Sequence, residues 1–245
     1  MLFSKEVAEV KYFKLVIVSV WMMLFGRKGK LKELTNKTVM TQENYLSAET
    51  CEKIKGIIDT LVDDAGNRRL WKDSLSSDNR ILGFENDIGS LIDEFHIDHW
   101  IRAIDEYTGK RTRSWFLMAN KLLPRNNNLG SGGGMHRDSA YSHQVKCIWY
   151  LSDVGTNNGP FCYVPDSNRS ILKTANKYPI GQTRFEHMHD DIVEVVAHQG
   201  ALVIADTRCI HGGKPIKSGC RYAITLYTSS DVHDKEKRIV NPDAV

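Results

Sequence analysis

The stretch "ALVIADTRCIHGG" (Ala201–Gly213), with "RYAITLYTS" (Arg221–Ser229) seven residues beyond it, decides how this chain folds. The first run is apolar up to Asp206, then turns, and places His211 beside two glycines. It reads as a buried strand followed by a turn. The second run reads as another strand. Side chains alternate across a strand, so Arg221, Ala223 and Thr225 share one face, and Tyr222, Ile224 and Leu226 the other. An arginine aimed into a packed interior is costly unless it meets an anion. A dicarboxylate would satisfy it through a bidentate pair.

Upstream of these strands come others. "RSWFLMANKLL" (Arg113–Leu123), "QVKCIWYLSDV" (Gln144–Val154), "FCYVP" (Phe161–Pro165) and "IVEVVA" (Ile192–Ala197) are strand-like, with "GTNNGP" as a turn and "NNNLGSGGG" (Asn126–Gly134) as a loop. The front half is helical. Ser47 is a candidate N-cap, followed by Cys51, Ile54, Ile57, Ile58, Leu61 and Val62 at helical spacing, with a stop near Gly66. Ile88, Leu91, Ile92 and Phe95 begin a second stripe, which Ile97, Trp100, Ile101 and Ile104 continue up to Thr108-Gly109. Between the two, "RLWKDSLSSDNRILGFEN" (Arg69–Asn86) reads as a hairpin or turn-rich segment. The expectation is a mainly β fold, a sandwich or barrel with packed helices.

The bulk numbers limit the function classes. The 245 residues can bury a substantial core, and a net charge of +3, from 33 basic and 30 acidic residues, gives no sign of a nucleic-acid partner. Five cysteines, an odd number with no CxxC pair, argue against a disulfide framework and a structural zinc site, and point to a reducing cytoplasm. The amino terminus is unusual. "LVIVSVWMMLF" (Leu15–Phe25) is short for a membrane span, and Glu6 and Glu9 precede it where a secretory leader would be basic. A buried element, a membrane-surface anchor and a leader outside the functional core all fit it. "MTQENYLSAETC" from Met40 reads like a natural start. We therefore divide the chain into an extension, residues 1–39, and a domain, residues 40–245.

The chemistry lies in "GGGMHRDSAYSH" (Gly132–His143). On a strand, His136 and Asp138 face one side and Arg137 the other. The chain holds the HxD pattern three times. His96-Ile97-Asp98 falls in a helical stripe, where i and i+2 diverge, and His189-Asp190-Asp191 sits among charged residues. The middle pair follows a glycine-rich hinge. Non-haem Fe(II) oxygenases use two histidines and one carboxylate on one face of an octahedron. His211 supplies the missing histidine, and Arg221 follows it by ten residues. Each of these residues alone has an ordinary reading as a loop, turn or surface side chain; their joint order carries the case.

That order resembles the Fe(II)/2-oxoglutarate oxygenases. "NNGPFCYVPDSN" (Asn157–Asn168) is similar to the NGP-x-x-x-VPGSH segment of their phytanoyl-CoA dioxygenase-like branch, and "ADTRCIHGG" to its D-x-R-x-x-H-x-G segment. The resemblance covers roughly Leu46 to Ser230. It implies a double-stranded β-helix (jelly roll, cupin-like), with His136, Asp138 and His211 as iron ligands and catalytic centre. It implies Arg221 on the distal carboxylate of 2-oxoglutarate, Asn120 or Lys121 at the other end of the cosubstrate, and Asp206 in support. Asp166-Ser167-Asn168 stands where the family has Gly-Ser-His, and Ile148 where an aromatic often holds the cosubstrate. With Fe(II), 2-oxoglutarate and O2, the implied reaction hydroxylates a small molecule and releases succinate and CO2. Halogenases of this kind carry a small residue in place of the carboxylate, so Asp138 favours hydroxylation. Nucleic-acid demethylases carry a second arginine six residues after the first; here that position is Tyr227. The alternatives are a non-catalytic or 2-oxoglutarate-independent jelly-roll metal-binding protein.

Overall fold

The computed structural model describes residues 16–138, 145–169, 184–185 and 191–230. Two antiparallel sheets face each other. The larger runs β1 (Val39–Gln42), β10 (Leu202–Asp206), β6 (Val145–Tyr150), β12 (Arg221–Ser229), β4 (Ser114–Leu122), β3 (Asp78–Leu82) and β2 (Leu70–Lys72). The smaller runs β8 (Arg184–Phe185), β5 (Met135–His136), β11 (His211–Gly213), β7 (Phe161–Tyr163) and β9 (Val193–Val195). The fold is a mainly β jelly roll with packed helices. β2 and β3 form the hairpin expected in Arg69–Asn86.

Strand alternation sorts the core into two layers. Ile148, Tyr150, Val203, Ala205 and Ala223 from the larger sheet pack with Phe161 and Val195 of the smaller one, filling the space between sheets. The opposite residues, among them Cys147, Trp149, Leu202, Ile204, Ile224 and Leu226, pack under the helices. β12 is thus buried on both faces, with Arg221 and Ala223 inward and Ile224 and Leu226 toward the helices. The sheet carries apolar residues in both phases because both of its faces are covered.

Helix α1 (Ala48–Asp63) starts where Ser47 Oγ accepts the Thr50 N–H at 3.0 Å, and buries Cys51, Ile54, Ile58 and Val62. The second stripe is not one helix. Gly89–Phe95 is a 3-10 helix, His96 takes a left-handed conformation (φ 47°), and α2 (Ile97–Thr108) begins after it. The apolar spacing survives this break, which is why the sequence reads as continuous. His96 and Asp98 are both exposed, so the first HxD pair takes no part in the interior.

The chain upstream of Met40 also joins this unit. Leu31 and Leu34 are fully buried, and Val39 opens β1 opposite Ala205. The boundary expected between residues 39 and 40 therefore falls inside a strand.

A polar knot ties α2, β10 and the 166–168 turn together. Asp206 and Arg208, both fully buried, form an ion pair. Tyr107 Oη donates to Asp206 Oδ2 at 2.7 Å, and Asn168 Nδ2 donates to the same oxygen at 3.2 Å. Burial pushes the Asp206 carboxyl up, but Arg208 and these hydrogen bonds outweigh it and hold its pKa below the ordinary value. Asn168, which replaces the histidine of the family segment, also donates to Leu34 O and accepts from Thr38 Oγ1. Asp166 adopts φ 61°, a left-handed conformation that aspartate tolerates better than most residues.

Replacing Asp206 by Asn leaves the Arg208 cation buried without a counter-charge, and should lower unfolding free energy by about 3–5 kcal/mol in urea titrations. A carboxylate whose folded pKa is depressed stabilises above its unfolded pKa and ceases to do so as pH falls through the folded one. Wild type should therefore lose this contribution below about pH 4, and Asp206→Asn should show a flatter acid limb.

Candidate metal centre

His136 ends β5, and Asp138 follows two residues later with its N–H directed at Thr207 O (3.4 Å). His211 opens β11 and pairs in register with His136. The three side chains converge. One ligand atom from each lies within 4.8 Å of the others. His136 Nε2 is 3.7 Å from Asp138 Oδ1, and His211 Nε2 is 3.7 Å from Asp138 Oδ2. Arg137 points the other way, donating to Ser167 O at 2.8 Å and to Arg208 O. His187, His189, Tyr141 and His143 lie outside the described residues.

The backbone fixes how the imidazoles point. His136 Nδ1 sits 2.8 Å from Gly134 O, and His211 Nδ1 sits 3.1 Å from Cys209 O. A carbonyl only accepts, so each Nδ1 carries the proton and each Nε2 presents its lone pair. His211 Nε2 is buried and has no hydrogen-bond partner. Burial pushes the His211 pKa down to about 3, which keeps the ring neutral. This is the tautomer and charge state a metal requires.

Glycines make the approach possible. At Gly132 (φ 86°) a Cβ would stand 2.6 Å from His136 Cε1, and at Gly212 a Cβ would stand 2.8 Å from Gly134 O. Two glycine backbones thus pack against each other beside the histidines. Asn128 clamps the same loop, donating to Ile216 O at 3.0 Å and accepting from Ile216 N at 3.1 Å. Residues 126–134 are held against the small sheet, and they position His136 rather than cover it.

Lys146 is the residue that sequence reading missed. Its Nζ lies 2.8 Å from Asp138 Oδ2 and 4.8 Å from the centre of the Tyr227 ring. Tyr227 in turn stacks on Phe116 at 4.9 Å. Burial pushes the Asp138 carboxyl up, but Lys146, His211 and His136 outweigh it and hold it well below the usual range. The signal was present in strand parity: Lys146 shares a face with Ile148 and Tyr150. Trp149, by the same parity, lies in the helix-side core.

Arg221 is fully buried in the space between sheets. Its Nη1 donates to Gly159 O, its Nη2 donates to Asn120 Oδ1 at 3.1 Å, and its Nε has no partner. No carboxylate pairs with it among the described residues. Gly159 lies next to the segment that bears Phe161, whose ring stacks on His211 at 5.5 Å. Asn120 therefore stands at the Arg221 end of the site. Lys121 turns outward, where its Nζ meets Asp59 at 2.6 Å. Two imidazoles and a carboxylate on one side, with an unsatisfied guanidinium beyond, suit an octahedral metal and an anion that spans from one to the other.

Comparisons with known proteins bear on the family and the fold. The family model described as phytanoyl-CoA dioxygenase (PhyH) matches residues 40–223. No curated protein matches the chain. Among solved structures, HygX from Streptomyces hygroscopicus with nickel, 2-oxoglutarate and hygromycin B bound is 12% identical, with a TM-score of 0.59 over 82% of this chain and 86% of that one. The epimerase SnoN of nogalamycin biosynthesis is 13% identical, with a TM-score of 0.60 over 81% of each chain. The carbocyclase SnoK of the same biosynthesis is 16% identical, with a TM-score of 0.56 over 83% and 85%.

Two variants probe the geometry, with Co(II) binding followed by absorbance. Gly132→Ala should displace the His136 ring and weaken Co(II) binding about tenfold, a loss typical of disturbed ligand support. Lys146→Met removes the cation that holds the Asp138 proton off. Its Co(II) affinity should then fall more steeply than that of wild type between about pH 7 and pH 5. Equal slopes would show that Lys146 does not act on Asp138.

Proposed function

This chain belongs to the phytanoyl-CoA dioxygenase family of Fe(II)- and 2-oxoglutarate-dependent oxygenases, and on that footing we propose that it hydroxylates a small-molecule substrate. His136, Asp138 and His211 hold the iron in this reading, and Arg221 takes the distal carboxylate of 2-oxoglutarate. The observation that carries it is Arg221 itself: a buried guanidinium with neutral partners and an unpartnered Nε. Leaving a cation so placed is costly, and an anionic cosubstrate removes the cost. The same feature argues against a metal protein that works without 2-oxoglutarate.

When bound, iron and 2-oxoglutarate supply O2 activation with oxidative decarboxylation to succinate and CO2. The protein's own residues do the positioning. Gly134 O and Cys209 O keep both Nε2 lone pairs turned to the metal. Lys146 orients the Asp138 carboxylate. Asn120 and Gly159 hold the Arg221 fork open toward the cosubstrate. Phe161, Ile148 and Ala223 line the space between with apolar surface and limit water there. His136, Asp138 and His211 would hold the iron from the protein side, and the iron would supply the chemistry with cosubstrate and O2. Asp138, as a carboxylate ligand, fits oxygen transfer to the substrate. The solved structures of similar fold include an epimerase and a carbocyclase, so product analysis is the means of separating hydroxylation from those outcomes.

Anaerobic titration with Fe(II) and 2-oxoglutarate should raise the weak visible charge-transfer band of the chelate. His211→Ala should abolish it. Arg221→Met should keep metal binding but raise the Kd for 2-oxoglutarate roughly 30-fold or more, since losing one partner of a buried charge pair costs about 2–5 kcal/mol. A wild-type protein without the band, or a His211→Ala protein that keeps it, would overturn the assignment.

A further inference from the structure

The helical segment 16–25 has no part in the site, and its packing is one-sided. Val18 and Met22 rest on the core, and Met22 is fully buried. Ser19 Oγ lies 3.5 Å from Arg208 Nη1, and Trp21 Nε1 donates to Gly109 O at 3.1 Å. Arg27 N donates to Tyr107 O at 2.6 Å, directly after the helix. At Gly26 a Cβ would stand 2.3 Å from that same carbonyl. The segment is therefore docked on α2 in a defined orientation.

Its other face is apolar as well. Ile17, Val20, Trp21 and Leu24 follow the i, i+3, i+4, i+7 spacing of a single helical stripe, and are 50%, 46%, 42% and 61% exposed. Met23 and Phe25 flank the stripe at 60% and 52%. Exposed large apolar side chains are otherwise scattered over this molecule, at Leu75, Leu129, Val193 and Val196 among the described residues. A contiguous patch of this kind marks an interaction surface.

The charge around it selects the partner. Lys28, Lys30 and Lys32 follow the helix and are exposed. Lys110 and Arg111 follow Gly109, whose added Cβ would touch the Phe25 backbone at 2.8 Å, so they join the same end. Among the described residues Glu106 lies beside Gly29 at that end, and Glu33 is paired with Lys37 at 2.6 Å. In sequence, Lys11 and Lys14 precede the helix. An apolar stripe with an aromatic residue and a basic collar is the pattern of a helix lying in a membrane interface.

We propose that this face docks on an anionic lipid surface, with Ile17, Val20, Trp21 and Leu24 at the acyl boundary and the lysine and arginine collar among the headgroups. No helix among the described residues is long and apolar enough to cross a membrane. A second copy of this chain fits less well, because a two-fold contact through the stripe would bring the basic collars of both copies close together.

Co-sedimentation of the full chain decides the matter, using vesicles of phosphatidylcholine alone and vesicles with about 30% phosphatidylserine. The chain should sediment with the anionic vesicles and do so several-fold less at about 0.5 M salt. Leu24→Glu should weaken partitioning about tenfold or more, and Lys28→Gln with Arg111→Gln should weaken it on anionic vesicles alone. All three positions are exposed, so the thermal midpoint of each variant should match wild type. The unmodified chain is decisive by itself: no sedimentation with anionic vesicles overturns the proposal. A wild-type dimer in solution that Leu24→Glu converts to monomer overturns it too, in favour of self-association.

Discussion

The buried Asp206–Arg208 pair is the constraint on which the site depends. Two full charges without solvent contact are tolerated only if every remaining lone pair and N–H finds a partner. Meeting that demand draws in Tyr107 from α2, Asn168 from the 166–168 turn, and the N–H of Arg208 itself. The turn from 206 to 210 is therefore set. From it, Thr207 O receives the Asp138 N–H, Arg208 O receives Arg137, and Cys209 O receives the His211 ring. One knot on the helix side of the larger sheet thus orients all three candidate ligands on its inner side.

The small sheet could not do this unaided. Its strands are two or three residues long, too short to be stable alone. They are held by what they pack against. Met135, Cys162, Val164 and Ile210 form a separate apolar cluster behind the histidines. Ser167 Oγ donates to Val164 O at 2.7 Å and accepts from Ile210 N at 2.8 Å, stitching β7 to the turn before β11. Glycine contacts between 130–134 and 212–213 close the other side. A site held from both sides before any ligand arrives spends little on ordering when one binds.

Charge matching gives the interior its polarity. Arg80 is met by Asp78, Lys146 by Asp138 and Arg208 by Asp206. Arg221 meets only neutral oxygens. Arg221, which no carboxylate pairs with among the described residues, stands near Gly159 and Asn120. A divalent metal at the triad and a dicarboxylate reaching from it to Arg221 would complete the balance. Such an arrangement explains why a buried arginine can open a strand that is otherwise largely apolar.

The sequence by itself showed α1, the β2–β3 hairpin and the strands β4, β6, β7, β9, β10 and β12, but not β1 or β8, and it singled out the HxD pair, His211 and Arg221 as a candidate site. These follow from local rules: period two along a strand, apolar spacing on a helix, and the cost of an unpaired buried charge. It could not determine which of three HxD pairs enters the interior except through those partners, and it joined Gly89–Phe95 to α2 because apolar spacing does not register a left-handed residue. That Leu31 and Leu34 are buried and Val39 pairs with Ala205 could not be read from the text around Met40. Strand parity put Lys146 on the face of Ile148 and Tyr150, but a lysine in a strand is ordinarily a surface residue, and only the closure of one sheet over another brought it to Asp138. The roles of Gly132, Gly159 and Asn168 were likewise decided by tertiary structure. Each acts on a residue far away in sequence or through a backbone contact, and neither distance nor contact is written in local composition.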